Sequence, residues 1–161
     1  MARHSGLFAG IGLAALLTGS VAAQPLVEHD IGVHLALDMV HAAIADCDSK
    51  NLSVSVVVLD RAGRVRAMAM ADRELGGHTV ELARRKAYTA LTFQRPSRDW
   101  VESLGPATAG ELAVTEVISL PGGQVVKLGE ETIGAVGVAG STLETDEACA
   151  KSAAAVVDQR K

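Results

Sequence analysis

Apolar residues recur at helical spacing from Ile31 to Cys47, where Val33, Leu37, Val40, Ile44 and Cys47 fall on one stripe. Asp30 stands before this stretch as a capping residue, and Asp48-Ser49-Lys50-Asn51 supply its stop. Leu52 to Leu59 (LSVSVVVL) is β-branched and partly alternating, which predicts a largely buried strand. After the turn residues Asp60-Arg61-Ala62-Gly63, the run Val65 to Ala71 alternates. It sets Val65, Ala67, Ala69 and Ala71 on one face and Arg66, Met68 and Met70 on the other, so the two strands form an antiparallel hairpin. Gly76-Gly77 breaks the chain before His78, and Thr79 is the predicted cap of a helix from Val80 to Phe93. That helix turns Ala83, Ala87 and Ala90 inward, carries Arg84, Arg85 and Lys86 in a row, and is stopped by Pro96.

Ser97 to Leu104 suits a short helical piece, and Glu111 to Val117 suits either helix or loop. Pro121-Gly122-Gly123 turns the chain into Gln124–Leu128, and Gly129 to Thr132 turns it again into Ile133–Ala139, a second hairpin. The last helix opens near Thr142 to Thr145 with Glu144, Asp146 and Glu147 in its first turn. It closes on Arg160 and Lys161, the charge order that suits a helix dipole. Its apolar stripe is Cys149, Ser152, Ala153 and Val156. Two hairpins joined into one antiparallel sheet, with helices packed on its faces, make an α+β sandwich.

The N-terminus changes the compartment. Arg3 and His4 precede an apolar run from Leu7 to Leu17, and Val21-Ala22-Ala23 ends the segment as an A-x-A-like cleavage site. The run is only 11 residues, against about 20 for a spanning helix. Residues 1–23 are therefore expected to be a signal peptide, and residues 24–161 a single exported domain, periplasmic or secreted, without further membrane attachment. Losing Arg3 makes the domain one unit more negative than the whole chain's formal −4. A mildly acidic protein is a poor candidate for nucleic acid as a partner, because phosphate contacts need a clustered basic face. With Phe8 in the leader, only Tyr88, Phe93 and Trp100 remain as aromatics, so the core must be Val, Leu, Ile and Ala. A large ligand pocket would then be aliphatic or completed by a second subunit. Cys47 and Cys149 are an even pair in an oxidising compartment, open to a bridge or to two buried thiols. The bridge is favoured if the first and last helices lie side by side, because both stripes then carry a cysteine into one seam.

Common catalytic signatures are missing: no G-x-S-x-G, P-loop, H-E-x-x-H, C-x-x-C or G-x-G-x-x-G occurs, and Gly134 and Gly137 sit inside a strand, where they allow close backbone packing. His34, Asp38 and His41 share one side of the first helix and can be read as metal ligands. They lie opposite the apolar stripe, however, where such residues are ordinary surface. His78 is a stronger candidate, standing at a helix mouth with Arg84, Arg85 and Tyr88 on the following turns. Helix N-termini favour anions, arginine takes carboxylates in bidentate fashion, and an imidazole there can ligate iron or move a proton. The alternative is a loop histidine beside a solvated basic face. Met68 and Met70 can flank an apolar guest, but core packing is the expected role.

The stretches VSVVVLDRAGRVRAMAMAD, GGHTVELARRKAYTALTFQRP and LPGGQVVKLGEETIGAVGVAGSTLETDEACA resemble the GlcG/HbpS heme-binding family over about Leu35 to Val157. The resemblance implies a profilin-like α/β sandwich with a central antiparallel sheet. It also implies homo-oligomers, often dimers built into rings, and binding of heme or a related cofactor in some members. Other members are encoded among catabolic enzymes. The exported branch is similar in carrying both cysteines, which supports a Cys47–Cys149 disulfide. The connection from Ser97 to Leu120 is shorter than the commonest version. These implications lead to a periplasmic heme- or cofactor-binding protein. His78 is the expected iron ligand or contact, with Thr79 beside it, Arg84 or Arg85 pairs with propionates, and Tyr88, Met68 and Met70 line the cavity. The rivals are an enzyme moving a proton on a small carboxylated molecule, and a structural oligomer without ligand.

Overall fold

The two hairpins meet through their inner strands. In the computed structural model, which describes residues 26–74 and 76–160, the elements run α1 (Val33–Asp48), β1 (Ser55–Asp60), β2 (Val65–Met70), α2 (Thr79–Phe93), α3 (Ser97–Glu102), β3 (Gly123–Leu128), β4 (Glu131–Ala139) and α4 (Leu143–Ala154). A 3₁₀ turn at Ala109–Ala113 interrupts the α3–β3 connection, and another, Ala155–Arg160, continues α4. The expected signal peptide lies outside the described residues. All strand pairs are antiparallel, in the order β2-β1-β4-β3. The central strands are buried from Ser55 to Asp60 and from Ile133 to Ala139, as their β-branched and small residues predict.

Strand alternation sends two sets of side chains to opposite faces. Val56, Val58, Val136 and Val138 pack beneath α1 and α4, while Val57, Leu59, Ala135 and Ala139 pack beneath α2. Helix α2 lies against the sheet with almost no side-chain layer at its centre. Gly123 and Gly137 are cross-strand partners, and a Cβ on either would stand 2.0 Å from the carbonyl oxygen of Lys86 or Ala83 respectively. Only glycine permits this approach, and it is what brings the Lys86 turn of α2 down to the end of β4.

Helices α1 and α4 lie side by side, joined by the Cys47–Cys149 disulfide between two fully buried residues. Asp46 reinforces the seam by accepting from Ser152 Oγ at 3.0 Å and Lys50 Nζ at 2.8 Å. The inward residues of α1 are Ala36, Met39, Val40, Ala43 and Cys47, whereas Val33 and Leu37 are exposed. The predicted stripe is thus rotated: Val40 and Cys47 keep their inward places, while Ala36, Met39 and Ala43 face the core where Val33 and Leu37 were expected. Asp30 does not cap α1, whose N-cap is Gly32. Its carboxylate instead accepts from the Ile31 and Arg61 amides, tying the lead-in to the β1–β2 turn.

Two buried carboxylates make stability sensitive to acid. Burial alone would raise Asp60, but bonds from the Arg64 amide and guanidinium and the Ala62 amide outweigh it and hold the group below its ordinary 3.8. Burial likewise opposes ionisation of Glu147, and Lys151 and Arg98 outweigh it, holding Glu147 below 4.5. A carboxyl group depressed in the folded state stabilises at pH above its unfolded value and loses that contribution as pH falls through the folded value. The melting temperature should therefore drop between about pH 5 and about pH 2, and Asp60→Asn should flatten part of that slope. A melting temperature constant over that range would contradict the assignment.

Candidate functional site

The N-terminus of α2, the end of β4 and the start of α4 converge on a hollow of about 330 Å³. Glu74, His78 and Thr79 form one side, Leu82, Leu120 and Leu143 supply apolar wall, and Lys86 with Asp146 forms the polar floor. Its volume falls at the lower end of the roughly 300–1,000 Å³ found for small-molecule sites.

Lys86 is the inward residue that alanine spacing on α2 conceals: it sits one turn from Ala83 and is only 1% exposed. Its ammonium donates to Asp146 Oδ2 at 2.7 Å and to the Val138 carbonyl at 3.0 Å. Asp146 accepts the Ser141 amide on its other oxygen at 3.0 Å, so both carboxylate oxygens are engaged. At the rim, Glu74 Oε1 accepts the Gly76 amide at 2.8 Å. Its second oxygen lies so near Gly140, where φ is +136°, that a Cβ there would be 2.4 Å away. Thr79 is the first residue of α2 and not its cap; His78 holds the N-cap position and makes no side-chain cap bond. The Thr79 hydroxyl is spent on the Gly76 carbonyl and Ser55 Oγ, which leaves the helix mouth to His78. The His78 side chain is exposed, and among the described residues no hydrogen bond or ion pair engages its ring.

The structure brings His78 and Thr79 to the hollow but not the other sequence candidates. Arg84 is paired with Glu81 and Glu116, and its bonds to Glu81 raise its pKa. Arg85 donates to the carbonyls of Glu116 and Val117. Together with Thr89, which accepts the Ile118 amide at 2.9 Å, these arginines fasten the α3–β3 connection to the helix. Tyr88 packs against the α2-side core and the Gly63 turn. Met68 and Met70 are not core: they are 62% and 41% exposed on edge strand β2, beyond the cover of α2, and neither lines the hollow. His34 and His41 are exposed on α1, and no cluster able to hold a metal ion occurs among the described residues. Lys86, Asp146 and Glu74 were missed by sequence reasoning. The available signal was a lysine in line with inward alanines, and an aspartate in the last helix's first turn that dipole arguments alone had absorbed.

Fold and site together define a small α/β sandwich with an ionisable hollow at a helix mouth. The family model described as "Haem degrading protein HbpS-like" matches residues 31–155, and the chain belongs to that family. No match was found among curated proteins. Among solved structures, one of HbpS is 29% identical with a TM-score of 0.77, covering 85% of this chain and 99% of its own. Klebsiella pneumoniae protein ORFY shares the fold at a TM-score of 0.80 and 24% identity, covering 86% and 98%. So does a PduOC:heme complex, at 0.72 and 22% identity, covering 80% and 96%.

Proposed function

We propose that this protein binds heme at the mouth of the α2 hollow, with His78 as the iron ligand. The observation that carries this is an imidazole with no bonding partner among the described residues, beside a wall of Leu82, Leu120 and Leu143. A nitrogen donor next to apolar surface is one of the donor sets by which proteins hold heme iron. The family description and the heme complex of a structural relative support the same guest.

The fit covers one part of the group. A tetrapyrrole is broader than the hollow, so the remaining wall comes from a second copy of the chain, and the protein acts as a homo-oligomer. Bound heme supplies redox-active iron; the chain's part is to hold, orient and shield it. Export through cleavage after Ala23 places the protein in the periplasm or outside the cell, a setting in keeping with the Cys47–Cys149 bridge.

Titration of the purified protein with hemin tests the proposal. The expected result is a saturable Soret shift with one hemin per site. His78→Ala should weaken binding by about tenfold to a hundredfold, in the range of losing a metal-site contact, and added imidazole should restore the spectrum. A wild-type protein without the shift, or a His78→Ala variant that titrates identically, would overturn it.

A further inference from the structure

We infer that the floor of the hollow is a carboxylate subsite built on the Lys86 ammonium. The inference rests on the hollow as the binding site, and not on heme as its guest.

An ammonium has three donors. Two of those on Lys86 go to Asp146 and the Val138 carbonyl, and the third is left for whatever occupies the hollow that Lys86 lines. The two fixed bonds hold the ammonium in place, so a guest meets a preset cation and little side-chain freedom is lost on binding. The backbone adds positive potential. Helices α2 and α4 both begin at the hollow, at His78-Thr79 and Leu143, and present positive dipole ends there. Asp146 balances Lys86, and bonds from Lys86 and the Ser141 amide hold its two oxygens in place. Glu74 is the one opposing charge at the rim. It therefore limits the floor to one carboxylate at a time, on a body matched to the apolar wall of Leu82, Leu120 and Leu143. The arginines expected for this role are fastened to Glu81, Glu116 and the 116–117 carbonyls.

One carboxylate can come from a heme propionate or from a free small monocarboxylic acid, and the test separates them. Propionate and its uncharged counterpart propionamide are titrated into the ¹⁵N-labelled protein while the Thr79, Gly140 and Ser141 amides are followed. Hemin and its dimethyl ester are compared in parallel by Soret titration. The expected result is saturable shifts with propionate, and binding about tenfold or more weaker for propionamide, the scale of losing a charge-assisted bond. The Lys86→Gln/Asp146→Asn double variant keeps a neutral hydrogen-bonded pair and should abolish the preference for the acid. Glu74→Gln leaves the ion pair intact and should tighten propionate by about threefold or more through loss of a like charge. If hemin fails to bind but propionate shifts these amides, the subsite stands for free acids and the heme proposal falls. If hemin binds, a preference for the acid over the ester that vanishes in the double variant assigns the propionate to Lys86. Equal binding of acid and ester, together with propionate shifts no larger than those of propionamide, overturns the subsite whatever heme does.

Discussion

Lys86→Met is expected to destabilise the protein by about 3–5 kcal/mol, because it leaves the Asp146 carboxylate buried without its cation. Both side chains are almost fully enclosed, and the 2.7 Å bond between them is the main compensation for taking two charges out of water. Removing one partner strands the other and also frees the Val138 carbonyl. Against a total stability of about 5–15 kcal/mol for an ordinary domain, that is a large share. The physical signature is asymmetry. Neutralising both partners together, as in Lys86→Gln/Asp146→Asn, should recover most of the loss, since a neutral buried pair avoids the desolvation cost. Urea unfolding of the three proteins checks this. Single and double variants that unfold at the same midpoint would mean the pair is not desolvated.

The second large effect concerns the α1–α4 seam. Cys47 and Cys149 are 102 residues apart, and a bridge closing a loop of about 100 residues limits the unfolded chain by up to about 4.7 kcal/mol in the chain-entropy picture, with about 2–5 kcal/mol usually lost on removal. The Cys47→Ser/Cys149→Ser variant should therefore melt many degrees lower, with the change arising mostly from a less restricted unfolded state. The enclosed position of the bridge adds a kinetic consequence. Both cysteines have no exposed surface, so a reductant should act only on the opened protein, and reduction should be slow in buffer and fast near the unfolding midpoint. Melting with and without reductant, and of the serine variant, measures it. Equal melting temperatures would contradict a stabilising bridge.

How much of this was legible in the sequence depended on how far each feature is set by local pattern. The two hairpins and their joining into one sheet were legible because β-branched runs with Gly-rich turns have few other solutions; that they join through β1 and β4 comes from the structure. The seam was legible through two cysteines at the ends of helical stripes. The exact face of α1 was not, because hydrophobicity ranks Val33 and Leu37 above Ala36 and Ala43, whereas tertiary packing turns the alanines inward. The site followed the same division. His78 was legible because a glycine pair before a helix isolates it at a mouth. Arg84 and Arg85 read as ligand groups because their charge is visible in the sequence, whereas their true partners, Glu116 and the 116–117 carbonyls, come from a connection with no periodic signal. Lys86 was hidden among three consecutive basic residues. Only the glycine pair Gly123 and Gly137, by letting α2 settle onto the sheet, decides that this one of the three faces inward.

Paramagnetic broadening by ferric hemin is the most direct measurement, because it reports where the iron sits without relying on any substitution. In the ¹⁵N spectrum of the protein, substoichiometric hemin should erase the amides of His78, Thr79, Leu82, Gly140 and Leu143 first, leaving those of Val65, Met68 and Tyr88 sharp. Broadening centred on the outer face of β2, or none above the level of a non-binding paramagnetic complex, would contradict a heme site at the mouth of α2.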